Sequence, residues 1–208
     1  MPSSRFEHIS DVVSMFVALE PRSVLDVGCG FGRWGFLARE YCDIFHGRYA
    51  REEWTTRIEA VEPFEGYLGP HHRYVYDHIH VMTIQEYVAD MPSYDVIYAG
   101  DVIEHLEKET AVSLLPRLAA KSNLAFIVSI PLGAEWPQGE VIGNPLEEHR
   151  SVWTRRDLKQ LGARLIRTYP IRDGRGFAVA VWSPKPLPRF RNPYHRRLAA
   201  RLLRRVRG

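Results

Sequence analysis

Short apolar segments bounded by turn residues alternate along the chain with longer segments of helical periodicity. The apolar segments predict seven strands, at residues 23–28, 57–63, 78–83, 94–100, 123–131, 163–171 and 176–183. Helical periodicity predicts helices between them, at residues 31–45, about 107–120 and 154–162. Because strands that alternate with helices usually pair in parallel, the pattern predicts an α/β fold with a Rossmann-like, doubly wound, mostly parallel sheet.

The last two predicted strands are separated only by the turn sequence RDGR. So short a connection joins antiparallel strands, and the sheet is therefore expected to end in an antiparallel C-terminal hairpin. The helix before this hairpin has Thr154 as its predicted N-cap and Gly162 at its end. Two other connections, 46–56 and 132–153, are long for a compact domain, which favours a function for them.

The composition is that of a globular protein: 208 residues, of which 45% are hydrophobic. This length predicts one domain with short additions. No apolar run is long enough for a transmembrane helix, and the first residues lack the basic and apolar regions of a secretory signal. Only Cys29 and Cys42 are present, which fits a reducing compartment. A cytoplasmic location is therefore expected.

The positive charge is concentrated at the C-terminus. Residues 189–208 contain eight arginines and no acidic residue, and the other 188 residues carry 20 basic and 25 acidic side chains, a net charge of −5. We therefore divide the chain into a domain at 1–183 and a proline-broken linker with a basic tail at 184–208. The tail is interpreted as an RNA contact, a peripheral contact with an anionic membrane surface, or an ordinary solvated chain end.

Four glycines follow the first predicted strand, at positions 28, 30, 32 and 35, and Asp26 precedes them. Glycines at the carboxyl end of a parallel strand let a ligand approach the backbone closely. A dinucleotide fingerprint would require glycine at position 33, where Arg33 stands. The spacing therefore favours a cofactor without a pyrophosphate, although the glycines could also form a tight turn that binds nothing.

A second polar cluster, Asp101, Glu104 and His105, lies in the sequence GDVIEHLEKE at the end of the fourth predicted strand. If a helix begins near Val102, Glu104 and His105 lie in its first turn. Such residues can hold a metal ion, accept a proton from a substrate, or cap a helix.

The sequences VLDVGCGFG and YDVIYAGDVIEHL together resemble two segments of the class I S-adenosylmethionine-dependent methyltransferases, and the resemblance extends over about residues 20–183. It implies that Glu62 binds the ribose hydroxyls and that the glycines bind the methionine half of the cofactor. Glu62 lies 36 residues after Asp26, a long spacing that the loop 46–56 would explain. The cofactor-binding residues implied by the resemblance are Asp26, Gly28, Cys29, Gly30, Gly32, Glu62, Pro63, Thr83, Ile84, Gly100 and Asp101.

The resemblance also implies that GDVIEHL faces the methyl donor. His105 is the predicted base, because an imidazole titrates near neutral pH. One branch of the family methylates the 2′-hydroxyl at the 3′ end of small RNAs and carries Glu-x-x-Glu-His with a later histidine. The matching positions, Asp101, Glu104, His105 and His149, are therefore candidate catalytic residues and candidate ligands of Mg²⁺, Mn²⁺ or Zn²⁺.

The favoured function is O-methylation of a small metabolite or glycan-type acceptor. The alternatives are a metal-dependent 2′-O-methyltransferase that acts on RNA ends and a non-catalytic cofactor-binding partner subunit. RNA is disfavoured as a partner because the domain outside the tail is acidic overall. The segment 132–153 is expected to cover the acceptor, with candidate contacts Trp136, Gln138, Glu140 and Asn144.

Overall fold

The structure, a computed structural model, describes residues 5–134, 136–171 and 175–188. The strands are β1 (Ser23–Val27), β2 (Arg57–Val61), β3 (His78–His80), β4 (Tyr94–Gly100), β5 (Ser122–Leu132), β6 (Leu165–Pro170) and β7 (Gly176–Trp182). The α-helices are α1 (Ile9–Leu19), α2 (Arg33–Cys42), α3 (Pro70–Val75), α4 (Ile84–Tyr87), α5 (Lys108–Ala120) and α6 (Arg155–Gln160).

The strands form one seven-stranded sheet in the order β3-β2-β1-β4-β5-β7-β6. Strands β1 to β5 run parallel, whereas β7 lies antiparallel between β5 and β6. The predicted Rossmann-like sheet with an antiparallel C-terminal hairpin is therefore confirmed. The chain moves outward from β1 to β3 and then returns to β4, so that the strand order reverses between β1 and β4. A ligand in such a sheet binds at the carboxyl edge beside this switch point.

The two faces of the sheet are covered by different helices. The residues of β1 alternate between the two faces of the sheet. Val24 belongs to the core formed with α1, α2 and α3, whereas Leu25 and Val27 belong to the core formed with α4, α5 and α6. Burial on both faces explains why the central strands are nearly continuous apolar runs. Polar residues such as Glu62 and Asp101 lie instead at the carboxyl edge of the sheet.

Helix α1 is absent from the sequence-based prediction. Its residues Val12, Met15 and Phe16 have helical spacing and are buried against the sheet. Asp11 lies among them and is also buried; its carboxylate accepts hydrogen bonds from Arg167 and Tyr169 of β6. The helix therefore depends on a polar anchor that only the folded chain provides.

The long connection 46–56 is ordered by one buried carboxylate. Asp43 accepts hydrogen bonds from Arg39 (2.6 Å), Arg48 (2.8 Å) and the backbone N–H of Thr55 (2.9 Å). Charge-assisted bonds of this kind hold the connection against α2. The loop accounts for the long spacing between β1 and the end of β2.

Local differences from the prediction occur at the ends of elements. Strand β3 ends at His80, earlier than predicted, because Thr83 caps α4: its hydroxyl accepts from the Glu86 N–H at 3.3 Å. The predicted cap of α6 is confirmed, since the Thr154 hydroxyl accepts from the Asp157 N–H at 3.2 Å. Most of the RDGR turn and the arginine-rich segment 189–208 lie outside the described residues. None of the helices in the described part of the chain combines the length and apolar character needed to cross a membrane.

Candidate active site

A cavity of about 360 Å³ opens at the carboxyl edge of the sheet, beside the switch point between β1 and β4. Nine of the eleven residues predicted to bind the cofactor line its wall: Gly28, Cys29, Gly30, Glu62, Pro63, Thr83, Ile84, Gly100 and Asp101. They come from four separate strand-end segments, which the parallel sheet brings to one edge. The other two, Asp26 and Gly32, lie outside the wall.

The turn after β1 requires glycine for two reasons. Gly28 has a φ of +66°, in the left-handed region that side chains disfavour. A Cβ atom at this position would also lie 2.4 Å from Cγ2 of Val102, in the segment after β4. The absence of a side chain at Gly28 therefore lets these two segments meet at the cavity wall.

Glu62 is buried at the end of β2 and faces the glycine turn. Its Oε2 accepts a hydrogen bond from the Gly30 N–H and its Oε1 accepts one from the Phe64 N–H, each at 2.9 Å. Burial raises the pKa of this carboxyl. Because each carboxylate oxygen has two lone pairs, Glu62 can still accept one further hydrogen bond on each oxygen.

Asp26 lies behind the cavity wall and stabilises it through hydrogen bonds. Its Oδ2 accepts hydrogen bonds from the Tyr76 hydroxyl (2.5 Å) and from the Gly35 N–H (3.1 Å) near the start of α2. Burial raises its pKa to about 7. These contacts connect β1, α2 and the segment after α3, so that Asp26 positions the glycine turn without lining the cavity.

The segment after β4 departs from a regular helix. Asp101 has a φ of +52°, and its N–H donates to the Ser129 carbonyl at 2.9 Å. A single 3-10 turn, Ile103–His105, follows, and α5 begins only at Lys108. This backbone path places His105 in the cavity wall and turns the side chain of Glu104 into the interior, where its exposed fraction is 1%.

Glu104, His105 and His149 converge, each with one ligand atom within 4.8 Å of the others. The rings of His105 and His149 lie 4.9 Å apart, centroid to centroid. Asp101 is not part of this group, although its charge, after burial, contributes to the raised pKa of Glu104. Three of the four predicted metal ligands therefore come together, and Asp101 lies on the cavity wall beside them.

The charge state of this cluster follows from its burial. Burial and the neighbouring His149 lower the pKa of His105 to about 4, so that its imidazole is neutral at physiological pH. Among the described residues, no N–H or other basic donor reaches the carboxylate oxygens of Glu104, and burial, with the neighbouring Asp101 carboxyl, raises the pKa of this group. A buried carboxyl without such donors is costly unless a proton or a cation neutralises it.

Backbone hydrogen bonds hold the segment that carries His149 against this turn. The Glu104 carbonyl accepts from the N–H groups of Arg150 (2.8 Å) and Ser151 (3.0 Å). Nδ1 of His105 lies 3.2 Å from the Glu148 carbonyl oxygen. Contacts between residues more than 40 positions apart therefore assemble the cluster.

Several wall residues were not predicted from the sequence: Phe31, Arg33, Tyr67, Leu146 and Glu147. Asn144 was predicted and lines the cavity, whereas Trp136, Gln138 and Glu140 lie outside its wall. Tyr67 follows Glu62 by only five residues, and its proximity to a strand end was the one signal available for it.

Comparisons with known proteins agree with this geometry. Residues 1–165 match the profile of a protein family described as a methyltransferase domain. A search of curated protein sequences found no match.

Three solved structures share the fold. The N-terminal domain of EvdMO1, determined in the presence of SAH and D-fucose, is 14% identical with a TM-score of 0.59, over 88% of this chain and 85% of that one. The 1,6-didemethyltoxoflavin-N1-methyltransferase of Burkholderia thailandensis is 17% identical with a TM-score of 0.59, over 86% and 80%. The magnesium protoporphyrin IX methyltransferase of Synechocystis PCC 6803, with bound SAM, is 17% identical with a TM-score of 0.53, over 85% and 79%.

Proposed function

Because this chain belongs to the class I S-adenosylmethionine-dependent methyltransferase family, we propose that it transfers a methyl group to an oxygen of a small metabolite or glycan-type acceptor. The observation that carries the proposal is the cavity in which the glycine turn, Glu62 and His105 share one wall. Methyl transfer to oxygen requires a bound donor, an oriented hydroxyl and an acceptor for its proton. This wall contains a residue suited to each task.

The residues present fit S-adenosylmethionine. Two lone pairs remain on the Glu62 carboxylate, one on each oxygen, and they suit a pair of ribose hydroxyls. Gly28 and Gly30 lie in the cavity wall, and the lack of a side chain at these positions suits a ligand that approaches the backbone. When bound, the cofactor supplies an electrophilic methyl group on a positively charged sulfur.

His105 would take the acceptor's proton. In the tautomer that carries its hydrogen on Nδ1, the ring donates to the Glu148 carbonyl and keeps Nε2 as the proton acceptor. The neutral imidazole favoured by burial is the form that can act as a base. Asp101 beside it would orient the hydroxyl through a hydrogen bond.

The cofactor assignment is tested by titration calorimetry with S-adenosylhomocysteine. Glu62→Gln should weaken binding at least about tenfold, because an amide N–H₂ would face one of the two backbone donors now bound by the carboxylate. The matched control is Glu65→Gln, an exposed acid on the next turn, which should bind like the natural protein. Equal affinity of all three proteins would contradict the role of Glu62.

The acceptor class is tested with the methyl-labelled cofactor and a panel of sugars, hydroxylated metabolites, amines and short RNAs. Labelled methyl ethers of a small hydroxylated compound are the expected product, identified by mass spectrometry. Exclusive labelling of amines would contradict O-methylation. Tight cofactor binding with no labelled product from any acceptor would favour a non-catalytic partner subunit.

The convergence of Glu104, His105 and His149 favours a second candidate, a metal-dependent 2′-O-methyltransferase that acts on RNA ends. One carboxylate and two neutral imidazoles form a plausible ligand set for Mg²⁺, Mn²⁺ or Zn²⁺, and the metal would lower the pKa of a bound hydroxyl. Zinc binding measured against a chromophoric chelator should then be lost in His149→Ala and kept in His78→Ala, a variant of an exposed histidine. Full turnover after exhaustive chelation would rule out this second candidate and leave the first intact.

A further inference from the structure

The Tyr67 side chain reaches across the cavity. The Tyr67 hydroxyl donates to Oε1 of Glu147 at 2.9 Å, and both side chains line the cavity wall. Their exposed fractions are only 5% and 8%, so that water competes little for the bond. Tyr67 follows β2 and Glu62 on the side proposed for the cofactor. Glu147 precedes His149 on the side proposed for the acceptor.

Each end of this bond is attached to a group of the proposed site. On the cofactor side, the Phe64 N–H that begins the turn leading to Tyr67 donates to Glu62 itself. On the acceptor side, Nε2 of Gln138 donates to the Glu147 backbone carbonyl (2.9 Å) and to its Oε2 (3.1 Å). The Gln138 carbonyl in turn accepts the His149 N–H at 3.0 Å. A displacement of Glu147 therefore displaces the backbone that holds His149.

We propose that the Tyr67–Glu147 hydrogen bond is a latch that couples occupation of the cofactor side of the cavity to the position of segment 138–151. Tyr67 is then a positioning residue, which acts on the acceptor side through Glu147. This inference rests on the proposed function, because it requires a cofactor beside Glu62. The coupling follows from geometry: a ligand held by Glu62 restrains the turn that begins at Phe64, and that turn ends at Tyr67.

Hydrogen exchange measured with and without S-adenosylhomocysteine tests the latch without any acceptor. In the natural protein, the ligand should slow amide exchange in segment 138–151. In Tyr67→Phe, which keeps the ring and removes the hydroxyl, the ligand should still bind, but the slowing in this segment should be reduced about tenfold. The matched control is Tyr87→Phe, which removes a hydroxyl bonded to Tyr94 at 2.7 Å outside the cavity wall and should behave like the natural protein.

A double-mutant cycle separates a latch from two independent contributions. In the Glu147→Ala background, which also lacks the bond from Gln138, Tyr67→Phe should cause no further loss of the ligand-induced slowing, because the bond that it removes is already broken. Undiminished slowing in Tyr67→Phe, or multiplicative losses in the double variant, would overturn the latch alone. Failure of the natural protein to bind S-adenosylhomocysteine would overturn the proposed function and the latch with it.

Discussion

Replacement of Gly28 by alanine should destabilise the protein and displace part of the cavity wall. The residue has a φ of +66°, and a left-handed alanine costs about 1–2 kcal/mol. The added Cβ would lie 2.4 Å from Cγ2 of Val102, so that one of the two segments must move. Overpacking of this kind costs about 1–3 kcal/mol, which gives a total loss of about 2–5 kcal/mol in the free energy of unfolding.

Gly47→Ala is the matched control. Gly47 has a φ of +82°, and a Cβ built there meets no atom within 4 Å. Both variants therefore have a strained backbone, and only Gly28→Ala also has a steric clash. The free energies of unfolding of the two variants, measured with urea, should therefore differ by about 1–3 kcal/mol.

The affinity for S-adenosylhomocysteine provides a second readout, because Val102 lines the cavity and the displaced segment carries Asp101. Binding should fall in Gly28→Ala and stay unchanged in Gly47→Ala. Equal unfolding free energies for the two variants would refute the reasoning, since they would mean that the turn relaxes without strain. If Gly28→Ala is destabilised but binds S-adenosylhomocysteine with unchanged affinity, the glycine turn does not contribute to ligand binding.

Burial also predicts a dependence of stability on pH. His8 is fully buried, and burial lowers its pKa from 6.5 to about 4. Below pH 6.5 the unfolded chain therefore binds a proton at this residue that the folded chain does not bind. The free energy of unfolding should fall by about 3 kcal/mol from this residue between pH 6.5 and pH 4. Urea unfolding across this range should be less steep in His8→Gln, and an identical pH profile would contradict the assignment. Truncation after Pro188 should leave the fold and the cofactor affinity unchanged, because Leu187 still packs on the core. If the truncated protein binds anionic vesicles or RNA more weakly than the full chain, the tail makes those contacts. Loss of circular dichroism on truncation would show instead that the tail supports the fold.

The prediction of helices and strands succeeded where the signal was local. Strand β4 was predicted with the bounds that the structure has, and the N-cap of α6 was predicted at Thr154. In both cases neighbouring residues determine the conformation, through apolar continuity or through a side chain that reaches its own backbone. Helix α1 was missed because Asp11 is a polar residue on its buried face, where it is held by hydrogen bonds from Arg167 and Tyr169 of β6.

Assignment of the candidate site from the sequence had the same limit. The motif residues line the cavity, except for Asp26 and Gly32, which lie outside its wall. Glu104 was expected beside its neighbour His105 in a helical turn, but the 3-10 turn directs its side chain into the core. Local spacing does not distinguish these two backbone paths, because the positive φ of Asp101 that precedes the turn depends on packing against β5.

The sequence by itself determined the strand–helix alternation, the need for glycine at the turn after β1, and the family to which these patterns are similar. Only the tertiary structure decided that Glu104 and His149 meet, and that Tyr67 bonds a carboxylate 80 residues further along the chain. The physical reason is distance along the chain. Dihedral preferences and apolar periodicity act over a few residues, whereas contacts across a cavity depend on sheet order and on the closure of long loops. Side chains such as Tyr67 and Glu147 acquire their partners only after the sheet has brought its strand ends to one edge.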